Sequence, residues 1–189
     1  MNHHLLRKAR ETSRQLATPA MILAWNFDVH PYPFLDEEVD VLTAPFCAYC
    51  TRNVSGWIED SLRVVKKGGK LVLLGPTKDN AQELYELNKT VTGIKSVPQT
   101  DETLTKLEEV FLPELQRMSG CETRRTILKR QIIFPTPEEF ARYYFATWLY
   151  EKTEEQIGRS IEFEYVSQEA QRTSLRLNKQ VICIEVLKT

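Results

Sequence analysis

Three short, nearly continuous apolar runs in the first half of the chain constrain its fold most strongly. They cover residues 20–25, 39–43 and 70–74, a length typical of strands buried on both faces rather than of helices. Residues 57–65 have the spacing of a short amphipathic helix, which residues 66–69 would close with lysines and glycines. A strand, a crossover helix and a further strand predict an α/β fold, with a parallel sheet and helices on both faces.

Periodicity along the rest of the chain predicts more helices and two more strands. Residues 30–34, which include two prolines, are expected to form a loop. Because the sequence has no internal repeat and no linker long enough to divide it, we predict one domain over residues 1–189. Helices are expected over 3–17, 80–92 and 101–118 and again from Pro137, and strands over 125–134 and 180–187.

The charge balance excludes several classes of protein. The 25 lysine and arginine residues against 26 aspartate and glutamate residues give a net charge of -1, whereas nucleic-acid binders usually carry a basic excess. No apolar run approaches the roughly 20 residues of a membrane span, and the N-terminus does not resemble a signal peptide. We therefore expect a cytoplasmic protein with no nucleic-acid or membrane partner, whose four cysteines remain thiols.

Two segments resemble the class I S-adenosylmethionine (SAM)-dependent methyltransferases. Residues 28–40, DVHPYPFLDEEVD, are similar to the family's acidic residue followed by Leu-Pro-Phe, an acidic turn and Phe-Asp-Val-Val. Residues 63–73, RVVKKGGKLVL, are similar to its Arg-Val-Leu-Lys-Pro-Gly-Gly-Arg-Leu-Val-Leu. The helix at 5–11 and a last strand ending in lysine extend the resemblance over essentially the whole chain. The resemblance implies a Rossmann-like methyltransferase sheet.

The glycine loop of that family, Gly-x-Gly-x-Gly, has no counterpart in these 189 residues, which contain no Gly-x-Gly at all. Backbone N–H groups approach the cofactor at this loop, and no side chain replaces them. The resemblance thus implies a domain truncated at its N-terminus by one βαβ unit, which binds SAM only with a complementing N-terminal unit. That fragment, or a second copy in a homo-oligomer, would cover the open edge of the sheet.

Within the implied domain, residues 1–78 would be the remaining cofactor-side core, 79–170 the helical and substrate-side insertions, and 171–189 the C-terminal strand region. The function implied is transfer of a methyl group from SAM to a small molecule, by this chain or by an enzyme of which it is the C-terminal fragment. The alternative is a non-catalytic, methyltransferase-like binding or structural subunit of a complex. A third hypothesis is a thiol-redox protein built on Cys47 and Cys50.

Four residues are candidates for cofactor binding. By resemblance, Asp28 would lie at the adenine edge and Val29 would pack on the ring, although an aspartate in a loop also commonly caps a turn. Ala44 and Pro45 follow the strand 39–43, where open α/β sheets bind ligands, and family members contact the methionine part of SAM there. A simple strand-to-loop transition is the alternative for this pair.

Four other residues are candidates on the acceptor side. His30 and Tyr49 are candidate general bases, although methyl transfer depends mainly on positioning and many such enzymes need no dedicated base. Tyr144 and Trp148 belong to an aromatic-rich helix where methyltransferases insert elements that cover the substrate. Packing in a core is the alternative for aromatic residues at this spacing.

The sequence Cys47-Ala-Tyr-Cys50 is compatible with three interpretations. A zinc site needs about four ligands, and the chain has no second such pair, so we predict no metal site. A redox pair would require the first cysteine at a helix N-terminus. The favoured interpretation is that both thiols fill half-buried positions beside the substrate pocket.

Overall fold

The computed structural model describes residues 3–15, 25–26 and 28–189. The strands are β1 (Val39–Pro45), β2 (Val65–Pro76), β3 (Cys121–Ile133) and β4 (Arg176–Lys188). The helices are α1 (His3–Ser13), α2 (Val54–Val64), α3 (Gln82–Thr92), α4 (Pro98–Lys106), α5 (Leu112–Arg117), α6 (Pro137–Phe145), α7 (Trp148–Ile157) and α8 (Phe163–Ala170). A 3-10 turn, Ala48–Cys50, follows β1, and a π-helical turn, Leu107–Phe111, joins α4 to α5.

The four strands form one mixed sheet in the order β1-β2-β4-β3. β1 and β2 are parallel, as predicted from the crossover helix α2, with Leu42 opposite Leu71. β4 is antiparallel to both β2 and β3. The expectation of a parallel sheet therefore holds for the βαβ unit alone. β1 lies at one edge of the sheet that the described residues form.

The predicted closure of α2 over residues 66–69 is wrong. α2 ends at Val64, and β2 begins at the next residue. Residues 66–69 instead form an irregular part of β2. The register of its pairing with β1 shifts between Val39 and Val41, and Gly68 has a φ of +75°. A Cβ at Gly69 would lie 2.7 Å from the carbonyl oxygen of Asp40. The two glycines thus allow close strand pairing and do not cap a helix.

Other predicted boundaries are close to the observed ones. The helix at 80–92 corresponds to α3, and the strand runs at 125–134 and 180–187 fall in the longer β3 and β4. The single helix predicted over 101–118 is divided by the π-helical turn that precedes Leu112. Pro113 lacks the N–H that would continue a regular hydrogen-bond ladder, which explains an irregularity at this position. The strand predicted over 20–25 lies, apart from Trp25, outside the described residues.

Two hydrophobic cores lie on either side of β4. The sheet core joins Leu71, Leu73 and Ile184 to Trp57 of α2 and Phe111 of the π-helical turn. The helical core is built by α3, α6, α7 and α8 and includes Leu177 at the beginning of β4. Because side chains alternate along a strand, Leu177 and Ile184 point to opposite sides of β4. Helices therefore pack on both sides of the sheet.

Among the described residues, the middle of the sheet is nonetheless covered on one side only. We call its other side the open face, and it consists of exposed or half-buried side chains that belong to neither core: Val41, Thr43, Val72, Leu74, Cys183 and Glu185. The strand pairs Thr43–Val72, Val72–Glu185 and Leu74–Cys183 place them on one surface.

None of the helices in the described part of the chain has the length and apolarity of a membrane span.

Candidate functional site

The candidate site lies at the carboxyl ends of the parallel strands β1 and β2. Ala44 is buried there and Pro45 is exposed. Phe46 follows with a φ of +53° and a ring that is 52% exposed, and its N–H donates to the carbonyl of Leu74 at 2.8 Å. Open α/β sheets bind ligands beyond the carboxyl ends of their strands. The 3-10 turn Ala48–Cys50 then leads the chain into α2.

Asp28 lies beside the end of this turn. Its Oδ1 accepts a hydrogen bond from the hydroxyl of Thr51 and another from the N–H of Arg52 at 3.0 Å. The bond from Thr51 lowers the pKa of Asp28 below its ordinary value, which keeps the carboxylate charged. The neighbouring Val29 has 49% of its surface exposed. Asp28 thus fixes the turn with one oxygen, and Oδ2 has no partner among the described residues.

The loop that contains Asp28 is held by α2. Asp60 is only 7% exposed, and its carboxylate accepts hydrogen bonds from the N–H of Tyr32, from Nδ1 of His30 at 3.1 Å and from Nε of Arg63 at 2.7 Å. Burial favours the neutral acid, but these donors outweigh it and leave the pKa of Asp60 below its ordinary value. A buried carboxylate with three donors is well satisfied, so the loop has a defined position.

Arg63 extends the same anchorage. Its guanidinium donates to the carbonyls of Phe34 at 2.9 Å and Tyr32 at 3.2 Å, and to Oδ1 of Asp36 at 2.7 Å. Because Asp60 and Arg63 are three residues apart on α2, they also bind each other. We call this pair the loop clamp.

Both candidate general bases make defined contacts in the structure. His30 uses Nδ1 toward Asp60, and its Nε2 is buried without a hydrogen-bond partner among the described residues. Burial raises the pKa of Tyr49 to about 12, so its phenol stays neutral at physiological pH. Its ring packs against Gly75, where a Cβ would lie 3.0 Å from Tyr49 Cδ1. Both residues have structural contacts, and a role of either as a general base stays a prediction.

Cys47 and Cys50 are exposed free thiols at either end of the 3-10 turn. Burial of the thiol raises the pKa of each, whereas a reactive cysteine has a lowered pKa. This favours neither a redox pair nor an activated nucleophile. Each residue as a whole is exposed, so the expectation that both cysteines occupy half-buried positions is wrong, although the thiol groups themselves are partly buried. The described residues include no cluster of three or more side chains suited to hold a metal ion.

The two acceptor-side aromatic residues have different environments. Tyr144 is fully buried in the helical core, and its hydroxyl donates to Oδ1 of the buried Asn88 at 2.6 Å. It offers no surface to a ligand in this conformation, because packing and its hydrogen bond both turn it inward. Trp148, at the start of α7, is 42% exposed and accessible to a ligand.

The residues that position the loop are not among those predicted from the sequence. Thr51 is fully buried and binds Asp28, and Asp60 and Arg63 form the loop clamp. One signal was present: Asp60 is a charged residue within the apolar side of an amphipathic helix, between Ile58 and Leu62. A carboxylate at such a position needs a partner, and the partner lies in the loop about thirty residues earlier in the chain.

Other proteins of known structure share the overall fold of this chain. No family model matches the chain, and no curated protein matches its sequence significantly. A candidate methyltransferase from Bacillus halodurans superposes with a TM-score of 0.59 at 16% identity, covering 98% of this chain and 79% of that one. The chain has the Rossmann-like methyltransferase fold. This confirms the fold class that the sequence predicted.

Two further structures support the assignment of the methyltransferase fold. The YcgJ protein from Bacillus subtilis matches with a TM-score of 0.57 at 13% identity, over 99% of this chain and 79% of that one. A SAM-dependent methyltransferase from Thermotoga maritima matches with a TM-score of 0.52 at 14% identity, over 99% and 70%. At such identities the likeness establishes the fold, and a reaction has to be argued from residues.

Proposed function

We propose that this chain is part of a SAM-dependent methyltransferase that acts on a small molecule in the cytoplasm. The observation that carries the proposal is the loop at Asp28 and Val29. In a methyltransferase-type fold, the loop clamp and Thr51 hold it at the sheet edge where β1 ends. SAM would supply a methyl group on a positively charged sulfur, and the transfer breaks that carbon–sulfur bond with its electron pair passing to sulfur.

The residues present fit the adenine half of SAM. Oδ2 of Asp28, which has no partner in the described part of the chain, can accept a hydrogen bond from an exocyclic amine, and the exposed Val29 offers an apolar surface to a flat ring. The buried Thr51 fixes the direction of the carboxylate, because it binds Oδ1. Pro45 and Phe46, exposed at the end of β1, lie where the methionine part would pass.

The methionine half requires a further unit. Its carboxylate needs donors such as backbone N–H groups and its ammonium group needs oxygen acceptors. The 189 residues contain no Gly-x-Gly sequence to let a backbone approach these groups closely. We propose that a βαβ unit with a glycine-rich loop complements the chain. This unit, or a second copy of the chain, would pair with the edge of β1 and pack on the open face.

Saturation-transfer NMR with S-adenosylhomocysteine, the demethylated product of SAM, tests this proposal on the chain alone. We expect saturation of the adenine protons and much weaker saturation of the homocysteine protons. Val29→Asp should abolish the adenine signal by placing a charge against the ring. Leu35→Asp is the matched control, since Leu35 is exposed in the same loop and outside the proposed adenine site.

The outcomes separate the alternatives. Absence of any adenine signal from the folded chain would refute the adenine site, and equal signals along the whole ligand would refute the need for a complementing unit. Equal loss in the Val29 and Leu35 variants would mean that loop charge, and not contact with the ring, controls binding.

A second candidate is a non-catalytic, methyltransferase-like subunit of a complex. The absence of Gly-x-Gly from the sequence favours it, as does the open face, which offers apolar side chains to another protein. This candidate predicts no binding of S-adenosylhomocysteine, with or without a glycine-rich unit.

A further inference from the structure

The strand β3 forms the second edge of the sheet, at the opposite side from β1. It pairs with β4 along its whole length, from Cys121 to Ile133, and no other strand in the described part of the chain pairs with it. Ten of its thirteen residues are exposed and none is buried. Its outer row of backbone N–H and C=O groups can therefore pair with an additional strand.

This edge is strongly basic. β3 has four basic residues and one glutamate, which give the strand a net charge of +3. Arg125 is bound to Glu108 at 2.5 Å. Within the described ranges, no carboxylate forms an ion pair with Arg124, Lys129 or Arg130. These three exposed cations are the unmatched charges of the edge.

The neighbouring strand increases the positive charge. Lys179 of β4 lies directly opposite Arg130, so the two side chains share one side of the sheet. Like charges at opposite positions destabilise a sheet, and the described residues provide no anion between them. Glu185 lies opposite Arg124 without forming an ion pair with it. An anionic side chain placed beside β3 would offset the repulsion between Arg130 and Lys179.

Exposed apolar side chains lie between and beyond these cations. Leu128 is 49% exposed and Ile132 is 37% exposed. Because side chains alternate along a strand, they point to the same side as Arg124 and Arg130. A partner strand with acidic residues opposite the two arginines and apolar residues opposite Leu128 and Ile132 would match this side of the edge.

A second copy of β3 matches the edge poorly, since it would bring two strands of charge +3 together. In the antiparallel register that overlaps all thirteen residues, Arg124 would lie opposite Arg130 and Arg125 opposite Lys129. The other edge of the sheet differs in charge, because β1 contains no lysine or arginine. An acidic strand would therefore be drawn to β3 rather than to β1.

We propose that the outer edge of β3 binds an extended, acidic segment of a partner protein, which adds a fifth strand to the sheet. The added strand runs antiparallel to β3, the slightly more stable arrangement per residue. Backbone hydrogen bonds supply affinity, and carboxylates opposite Arg124, Lys129 and Arg130 supply selectivity. The proposal goes beyond the methyltransferase function and does not depend on it.

Fluorescence anisotropy with a labelled nine-residue peptide, VTEEVVTTE, tests the proposal on the whole chain. Aligned antiparallel to residues 124–132, this peptide places its glutamates opposite Arg130, Lys129 and Arg124. We expect the neutral peptide VTQQVVTTQ to bind about tenfold more weakly, because three opposite-charge pairs are lost. VTEEPVTTE, which keeps the charge but interrupts the strand with proline, should also bind about tenfold more weakly.

The double variant Arg124→Gln/Arg130→Gln should lower the affinity for VTEEVVTTE by about fivefold, because two of the three charge pairs are removed. Both arginines are exposed and neither is in an ion pair with a described residue, so the variant should fold, which circular dichroism would check. Lys67→Gln/Arg159→Gln is the matched control, since it removes the same charge from exposed residues outside β3. It should leave the affinity unchanged.

Hydrogen exchange distinguishes an added strand from simple attraction of an anion. VTEEVVTTE should slow the exchange of the β3 amides that do not bond to β4. No binding, equal binding of the acidic and neutral peptides, or equal loss in the two double variants would each overturn the proposal. So would binding of oligothymidylate as tight as that of the peptide, which would indicate a nucleic-acid site, or a dimer that the peptide dissociates, which would indicate a second copy.

Discussion

The two sides of the sheet centre differ in what covers them, although both sides carry apolar side chains. Leu73 and Leu74 are neighbours in β2 and point to opposite sides. Leu73 is fully buried in the sheet core, whereas Leu74 is half-buried on the open face. Apolar side chains on both sides of a strand are typical of sheets covered on both faces. The comparison therefore indicates that the open face is a surface for packing.

The contrast also separates the anchored part of the candidate site from its incomplete part. α2 covers one side and carries the loop clamp, which fixes the loop at Asp28. The open face lies beside the edge of β1 that pairs with no other described strand, and it carries Val41 and Val72. In our proposal the first side supplies the adenine contacts and the second receives the complementing unit.

The largest expected effect comes from truncating the two neighbouring leucines. Leu73→Ala should lower the free energy of unfolding by about 2–5 kcal/mol, since it leaves a cavity in the sheet core. Leu74→Ala should cost about 1 kcal/mol or less, because its surroundings are partly solvent. Urea denaturation followed by circular dichroism measures both. Equal losses of unfolding free energy in the two variants would show that the open face is covered in solution. Repeating the measurement at lower protein concentration would then show whether a second copy of the chain covers it.

An intermediate effect is expected from the loop clamp. Asp60→Asn should lower the free energy of unfolding at pH 7 by about 1–3 kcal/mol, because the charged acceptor of three hydrogen bonds is lost. The effect should be smaller than that of Leu73→Ala, since the sheet core stays intact. Denaturation curves at constant pH measure the difference.

The same variant tests the effect of acid. A carboxyl whose pKa is lower in the folded than in the unfolded state stabilises the fold above its ordinary pKa, and this stability is lost as the pH falls through the folded value. The pKa of Asp60 is lowered from 3.8, so the wild type should lose stability as the pH falls below about 4. Asp60→Asn should lose less over the same range. Identical acid slopes would contradict the role of Asp60.

The smallest expected effect is at the open face. Val41→Glu should change the free energy of unfolding by about 0.5 kcal/mol or less, because Val41 is exposed at the edge strand. The mass of the Val41→Glu variant in solution, measured by light scattering, should equal that of the wild type if the complementing unit is a different chain. A smaller mass than that of the wild type would instead show that a second copy packs on this face. Val41→Thr, which keeps the shape without the charge, is the control.

Most of the strand and helix pattern followed from local sequence. The apolar runs at 39–43 and 70–74, the α3 segment and the loop with two prolines all correspond to observed elements. Periodicity succeeds here because each element buries one face or both. The end of α2 was misplaced, since two glycines after lysines are typical of a helix end and also of an irregular strand.

The candidate site was only partly predictable. Asp28 was identified through a resemblance, but its bond to Thr51 joins residues twenty-three positions apart. Tyr144 and Trp148 were indistinguishable as aromatic residues of one segment, and burial separated them.

The sequence by itself determined the local elements, the βαβ unit around α2 and the lack of a Gly-x-Gly loop, because these depend on neighbouring residues and on composition. Among the described residues, tertiary structure alone decided which side of the sheet is covered and which oxygen of Asp28 accepts the hydrogen bonds. Such features depend on contacts between residues distant in the chain. The free energies of those contacts come from burial and from hydrogen bonds that form only when the elements pack together.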